Sequence, residues 1–251
     1  NLGLEVGLNG TVLRSDDFKW DIGLNYTLQK SEVISLADGV DELNIGGFTS
    51  AQIIAKVGEP YPQIRTTSYL KDSEGRVIVG TNGDPIQDPI NQIQGKTTPD
   101  YIVGLTSTVN YKGFSLAATM DYRTGHVFYS DTKSNMTWSG HAVETAQAGR
   151  GQFIWPNSAI NVGTADNPIY EANTSVGSGG TTAGSYITFF NNYRSVGENH
   201  VLDATAFKIR ELSLRYDLNE KFLDRTFLTG LSISAVARNV LTVLPTENRG
   251  Y

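Results

Sequence analysis

Between Phe18 and Leu28 the chain alternates strictly. Phe18, Trp20, Ile22, Leu24, Tyr26 and Leu28 are apolar, and Lys19, Asp21, Gly23, Asn25 and Thr27 lie between them. A period of two puts each set on its own face of a β-strand. The run of eleven residues fits the roughly 9–11 that a tilted strand needs to cross a bilayer. Strands of soluble sandwiches are usually shorter, about 5–6 residues. The apolar face carries aromatic residues at both ends, as where a membrane strand meets its two interfaces. The pattern predicts a transmembrane β-strand.

The same period recurs. Leu2, Leu4, Val6 and Leu8 alternate with Gly3, Glu5, Gly7 and Asn9, and this strand ends near Leu13 at a polar turn, 14–17. A third strand runs from about Tyr101 to Tyr111. Lys112-Gly113 turns the chain into a fourth, with Phe114, Leu116, Ala118, Met120 and Tyr122 on one face. A fifth covers about Ala206–Leu218, and a sixth starts near Leu231 and runs past Val240. A short helical turn is expected around Glu220–Leu223. The region 29–99 carries turn signals at Gly46-Gly47, Gly58-Glu59-Pro60 and Asn82-Gly83, with short strands expected around Gln63–Leu70 and Arg76–Val79. Amphipathic helical runs look nearly absent.

The connections between these six strands are about four, seventy, two, eighty and eleven residues long. Short turns alternating with very long loops are the habit of outer-membrane barrels; a sandwich or propeller spaces its strands more evenly. The expected fold class is therefore all-β, a segment of an antiparallel up-and-down transmembrane β-barrel. Six strands do not close such a barrel, whose smallest members have about eight, and open edges are not tolerated in lipid. Either further strands complete the barrel or copies assemble. The chain opens at Asn1 inside a strand pattern, which reads as a piece of a longer chain.

Composition is consistent with this and removes other classes. Gly is abundant at 26, with 12 Tyr and 10 Phe. The hydrophobic fraction is 39% and mean hydropathy is negative, which alternation in a barrel permits. No run of about 18 apolar residues exists to make a membrane helix. Net charge is −6, and no basic patch with interleaved aromatics supports nucleic-acid binding. Without cysteine there are no disulfides or thiolate metal sites. His126, His141 and His200 lie far apart with no metal-ligand spacing and read as solvated loop residues. No nucleophile motif or phosphate loop occurs, so no catalytic, cofactor or metal residue is assigned and no enzyme activity is expected.

The stretch Val201-Leu202-Asp203-Ala204-Thr205-Ala206-Phe207-Lys208-Ile209-Arg210-Glu211-Leu212-Ser213-Leu214-Arg215-Tyr216-Asp217-Leu218 closely resembles a late segment of SusC/RagA-type TonB-dependent transporters. Ala237-Arg238-Asn239-Val240-Leu241-Thr242 resembles the family's following strand. Tyr111-Lys112-Gly113-Phe114-Ser115-Leu116, Phe153-Ile154-Trp155-Pro156-Asn157-Ser158 and Gly58-Glu59-Pro60 are similar to a family hairpin, a loop and a "G-x-P" segment. The resemblance implies that residues 1–251 are the C-terminal portion of a plugged barrel of about 22 strands, contributing strands sixteen to twenty-one, with the plug, the TonB box and the last strand outside this sequence. Where the family often has a "D-x-N-G-D-G-x-I-D" loop, this chain reads Thr81-Asn82-Gly83-Asp84-Pro85-Ile86-Gln87-Asp88, with proline in place of the bending glycine, and too few oxygen ligands for a calcium loop.

The function so implied is active import of oligosaccharides or oligopeptides across the bacterial outer membrane by a multi-pass barrel. Its partners would be a SusD-like surface lipoprotein as lid, TonB acting through the plug, and outer-membrane lipids; a homodimer of transporter units stays open. Two rivals stand beside it. One is a SusC-like structural subunit of a larger outer-membrane assembly, in secretion or barrel insertion. The other is a soluble all-β glycan-binding domain. Tyr129, Trp138, Trp155 and Tyr170 in the second long loop are candidate contacts to substrate or lid. Glu211, Arg215 and Asp217 on one strand, with Arg238 on the next, are candidate groups facing the lumen or a plug. Lys208 and Arg210 share the apolar parity and are expected to snorkel at the outer rim, unless a bulge near Arg210 turns them inward.

Overall fold

The computed structural model describes residues 1–219, 222–224, 227–248 and 250–251; the turn expected around Glu220–Leu223 lies in part outside them. In chain order the strands are β1 (Leu2–Arg14), β2 (Phe18–Lys30), β3 (Glu42–Phe48), β4 (Ala51–Lys56), β5 (Gln63–Thr66), β6 (Val77–Val79), β7 (Gln92–Lys96), β8 (Tyr101–Tyr111), β9 (Phe114–Thr124) and β10 (Val127–Tyr129). They continue as β11 (Ser158–Asn161), β12 (Tyr170–Ala172), β13 (Val201–Asp203), β14 (Ala206–Asp217) and β15 (Ser232–Val243). Two α-helices, α1 (Asp131–Trp138) and α2 (Ala183–Ser195), lie in the second long insertion. The chain divides into two units, residues 1–32, 98–126 and 203–249 in the first and residues 33–97, 127–202 and 250–251 in the second.

The first unit is one six-stranded sheet in the order β1-β2-β8-β9-β14-β15, antiparallel throughout. It is the expected barrel segment, with β1 and β15 as open edges. Because directly opposed residues share a face, the register fixes which side chains lie together. Leu24 stands between Leu8 and Leu105, and Leu105 opposes Met120. The single hydroxyl in the middle of this apolar face, Ser107, accepts the Trp20 indole N–H at 3.0 Å.

Aromatic residues border the face at both ends. Phe18, Tyr111, Phe114 and Tyr216 are successive cross-strand partners along one end, with the Phe114 and Tyr216 rings 4.4 Å apart. Tyr26, Tyr101, Tyr122 and Phe207 mark the other. Tyr101 packs 5.9 Å from Tyr26 and 6.2 Å from Tyr122. Phe18 and Tyr26 stand eight residues apart on β2, about 26 Å of strand at roughly 3.3 Å per residue. A tilted membrane strand places its two aromatic rows at about this spacing.

Bulges keep the apolar face continuous where the sequence changes parity. In β1 the register shifts between Thr11 and Leu13, so Leu13 joins the even-numbered leucines opposite Trp20. In β14 it shifts between Ile209 and Glu211 against both neighbours. Phe207 and Ile209 before the bulge, and Leu212, Leu214 and Tyr216 after it, therefore share one side. Asn239 on β15 takes φ +53° at the same bulge, a left-handed conformation that asparagine tolerates better than most residues. The bulge near Arg210 is thus present, and it replaces the rim position expected for Lys208 and Arg210 with the alternative. Lys208 opposes Asp121 on the polar face, and Arg210 at the bulge reaches the Asp121 carboxylate.

The second unit is built from the two long insertions. Its sheets have the orders β3-β4-β5-β7, β12-β11-β6 and β10-β13. The strands expected near 63–70 and 76–79 are β5 and β6. The Gly46-Gly47 turn signal lies instead inside β3, at a bulge where Gly47 has φ +103° and an added Cβ would strike the Ala51 carbonyl. The expected scarcity of amphipathic helix is also corrected. In α2, Tyr186, Phe189, Phe190 and Tyr193 recur at helical spacing, and Thr182 and Ser185 form a reciprocal capping box. Ser130 caps α1, its hydroxyl accepting the Lys133 N–H at 3.1 Å.

Candidate functional site

Two regions concentrate side chains of functional interest: the polar face of the sheet and the aromatic core of the second unit. On the polar face near the ends that carry the long insertions, Asp121 is bridged by two guanidiniums. Arg123 Nη2 lies 3.1 Å from Asp121 Oδ2, and Arg210 Nη2 donates to the same oxygen at 3.3 Å. Gly104 opposes Asp121 on β8, while Lys208 opposes it on β14. One carboxylate among three cations leaves a local excess of positive charge.

Further along the same face, Glu211 accepts from Arg238 Nε at 3.1 Å, its direct cross-strand partner. Arg215 and Asp217 pair at 2.6 Å. The Thr11 hydroxyl donates to Asp21 Oδ1 at 2.6 Å, and Lys19 lies 2.7 Å from Asp21 Oδ2. The four charged candidates Glu211, Arg215, Asp217 and Arg238 thus lie on one face, joined in two pairs. Asp121 and Arg123 belong with them, and sequence reasoning did not single them out. Asp121 and Arg123 stand at polar parity in the fourth strand, but their third member, Arg210, reaches Asp121 only because of the bulge.

The aromatic core of the second unit is Tyr186, Phe189 and Phe190 from α2, with Phe153, Trp155 and Tyr193 packed against them. Phe189 meets Phe153 edge-on at 5.5 Å and Trp155 at 5.9 Å. Tyr69 packs on Trp155 at 5.3 Å and accepts a 2.6 Å hydrogen bond from Asn199. Burial raises the Tyr69 and Tyr193 phenols above their usual range, so both stay neutral. The Phe153–Ser158 stretch anchors this core. Asn157 takes φ +50°, its carbonyl accepts from Val77 at 3.0 Å, and the Ser158 hydroxyl donates to the Trp155 carbonyl at 2.6 Å.

His200, expected to be solvated, is fully buried. Tyr129 and Tyr193 meet its ring edge-on at 6.0 and 6.2 Å. Its Nε2 lies 3.1 Å from the Arg194 carbonyl, so that nitrogen carries the proton and donates. Burial holds the imidazole neutral, with its pKa pulled down to about 4; the Arg194 carbonyl opposes that shift. The Tyr251 hydroxyl donates to Glu144 at 2.7 Å; burial and that bond push its pKa up to about 12.

The four aromatic candidates of the second loop are not brought together. Trp155 lies in the core. Tyr129 packs between His200 and Phe48, and its hydroxyl is 3.3 Å from that of Ser50. Tyr170 sits on β12, its carbonyl accepting from Arg76 at 3.2 Å. Trp138, at the end of α1, is 64% exposed beneath the Arg194 guanidinium at 6.0 Å. In the segment 81–88, Asp84 accepts from Asn82 at 2.9 Å and from the Gly179 N–H at 3.1 Å. Its carboxylate therefore tethers one loop to another. No cluster of three or more His, Cys, Asp or Glu able to hold a metal occurs among the described residues.

No protein-family model matches the chain. Among characterised proteins, the TonB-dependent receptor P3 of Formosa agariphila is 24% identical over 266 residues, covering 96% of this chain and 24% of that protein. The TonB-dependent receptor SusC of Bacteroides thetaiotaomicron is 27% identical over 157 residues, covering 56% of this chain and 16% of that protein. A solved structure of the RagAB peptide transporter superposes with TM-score 0.63 at 18% identity, over 98% of this chain and 26% of that one. The RagAB peptide importer in a closed-closed state gives 0.63 at 17%, over 98% and 26%. The chain spans about a quarter or less of the length of these relatives.

Proposed function

Because the chain resembles SusC/RagA-type TonB-dependent transporters in both sequence and fold, we propose that it supplies barrel wall and extracellular loops to an outer-membrane importer of oligosaccharides or oligopeptides. Residues 1–251 are then the C-terminal portion of the barrel, and a plug and closing strand are supplied by sequence outside it. A SusD-like surface lipoprotein covers the loops, and TonB acts through the plug. The reaction is transport, with no bond broken. Glu211, Arg215, Asp217 and Arg238 face the lumen or the plug, and Tyr129, Trp138, Trp155 and Tyr170 serve the loops that meet substrate or lid.

The observation that carries this reading is the two-sided sheet. One face is apolar between two aromatic rows, and the other holds ion pairs. On interior strands Leu116 at 44% and Leu214 at 48% exposure would promote aggregation in water, whereas lipid accepts such a band. The geometry therefore favours the membrane reading over a soluble glycan-binding domain. The test is to extract the native polypeptide from the outer-membrane fraction in detergent and identify its length and companions. The expected product is a chain several times longer than 251 residues, accompanied by a surface lipoprotein. A product of this length that stays soluble without detergent would overturn the proposal.

A further inference from the structure

The second unit contains a cavity of about 240 Å³ between α1, α2 and the segment 143–150. We propose that it binds a small apolar carboxylate, with the apolar body against Trp138, Ile187 and Phe190 and the carboxylate on Arg150.

The walls argue for an apolar body. Trp138 and Ile187 are 64% and 62% exposed, and Phe190 and Tyr186 close the cavity behind them. Large apolar side chains held open beside a cavity are a feature of ligand sites. The neighbouring hydroxyls are already engaged. Tyr186 donates to the Thr145 and Gln147 carbonyls, both at 3.2 Å, and Thr137 donates to the Lys133 carbonyl at 2.9 Å. At 240 Å³ the space falls below the roughly 300–1,000 Å³ of drug-sized sites. It suits one ring or one branched side chain.

The charges argue for an anion. Among the described residues no Asp or Glu lines the cavity. Arg150 does line it, has no carboxylate partner there, and reaches only the Gly140 carbonyl, at 3.3 Å. A guanidinium has five donors in a fork that matches a carboxylate, and since Arg150 is exposed its remaining donors face solvent, where a ligand carboxylate can replace water. Arg194 above Trp138 adds a second cation. Ala183, in the first turn of α2, contributes the positive end of a helix to the wall. The carboxylate that Thr137 also approaches, Glu144, is held by Tyr251 at 2.7 Å and lies 4.0 Å from Lys133. A dianionic phosphate would bring two charges to one lining cation; a carboxylate brings one. Its source is a free aromatic or branched acid, or the C-terminal residue of a peptide.

Equilibrium dialysis on the intact detergent-solubilised protein tests this with N-acetyl-L-phenylalanine as the probe. N-acetyl-L-phenylalaninamide has the same body without the charge, and N-acetylglycine has the charge without the body. The acid should bind about tenfold or more tightly than either, the scale of a charge-assisted hydrogen bond. Arg150→Gln should bring the acid down to the amide's affinity and leave the amide unchanged, and Arg150→Lys should keep part of the preference. Trp138→Ala should weaken acid and amide alike. A pentapeptide ending in Phe that binds as tightly as the free acid identifies a peptide terminus as the source; its exclusion identifies small acids. Equal binding of acid and amide, no saturable binding, or a preference that survives Arg150→Gln would each overturn the site. The assay reads binding without transport, so its failure leaves the import reading to its own test.

Discussion

The sheet and the second unit place their hydrophobic residues in opposite directions. In the sheet the large apolar side chains lie on an exposed face, and the opposite face is knitted by ion pairs such as Arg123–Asp121 and Glu211–Arg238. In the second unit Phe189, Phe190 and Tyr186 are buried against one another, with Ile54 fully enclosed elsewhere. The second unit follows the rule of proteins in water, where apolar burial supplies the stability. The sheet does not; under the proposed membrane reading its backbone ladder holds where lipid replaces water as the surroundings of its apolar side. One chain would then carry two solutions to the same problem, each suited to a different solvent.

The comparison breaks most sharply at Phe189, which is 3% exposed and packs on Phe153, Trp155 and Phe190. Phe189→Ala removes a ring from a closed core and should cost about 3–5 kcal/mol of local stability. In the intact protein, hydrogen exchange should accelerate across residues 127–202 while the amides of β2, β8 and β9 stay protected. Equal loss in both places would show that the two units unfold as one.

The sheet answers to a different substitution. Leu24 stands mid-strand on the apolar face, opposite Leu8 and Leu105; Thr108 stands on the polar face, opposite Asp21 and Ala117. Leu24→Lys should cost about 2–4 kcal/mol in a bilayer, and Thr108→Lys, beside Asp21, should cost far less. Refolding into lipid vesicles across a urea series measures both. Equal tolerance would mean that the apolar face does not meet lipid.

The same contrast explains what the sequence made legible. A period of two survives any loop conformation, so Tyr101–Tyr111 was located to the residue and the other long strands to within two or three. Bulges break that period. Counting alone puts Lys208 and Arg210 on the apolar side at the rim, and the bulge near Arg210, the alternative the sequence left open, puts them on the other face. In the second unit the pattern lay elsewhere. Amphipathic helix looks nearly absent from the sequence, yet Tyr186, Phe189, Phe190 and Tyr193 carry the helical repeat that builds the core. Nothing local marked His200 as buried or joined Arg150 to Trp138, since both depend on how α1, α2 and the segment 143–150 pack. Ring chemistry alone marks Tyr129, Trp138, Trp155 and Tyr170 as candidates, and the fold separates them.

The smallest of these effects is a pH dependence confined to the second unit. Burial pulls the His200 pKa down to about 4, the Arg194 carbonyl and Glu144 oppose this, and Lys133 and Arg194 add to it. In the unfolded chain the imidazole titrates near 6.5. Between these values the unfolded state binds the extra proton, so stability rises with pH. The contribution is complete above about pH 6.5 and is lost as pH falls from there toward 4. By pH 5 the loss should reach about 2 kcal/mol, read as faster hydrogen exchange in α2 and β13. The sheet offers no buried histidine to match it, so its protection should hold through that range. His200→Gln keeps a donor for the Arg194 carbonyl and cannot take up the proton, so it should flatten the slope. An unchanged slope in that variant would assign the acid sensitivity to carboxylates elsewhere in the unit.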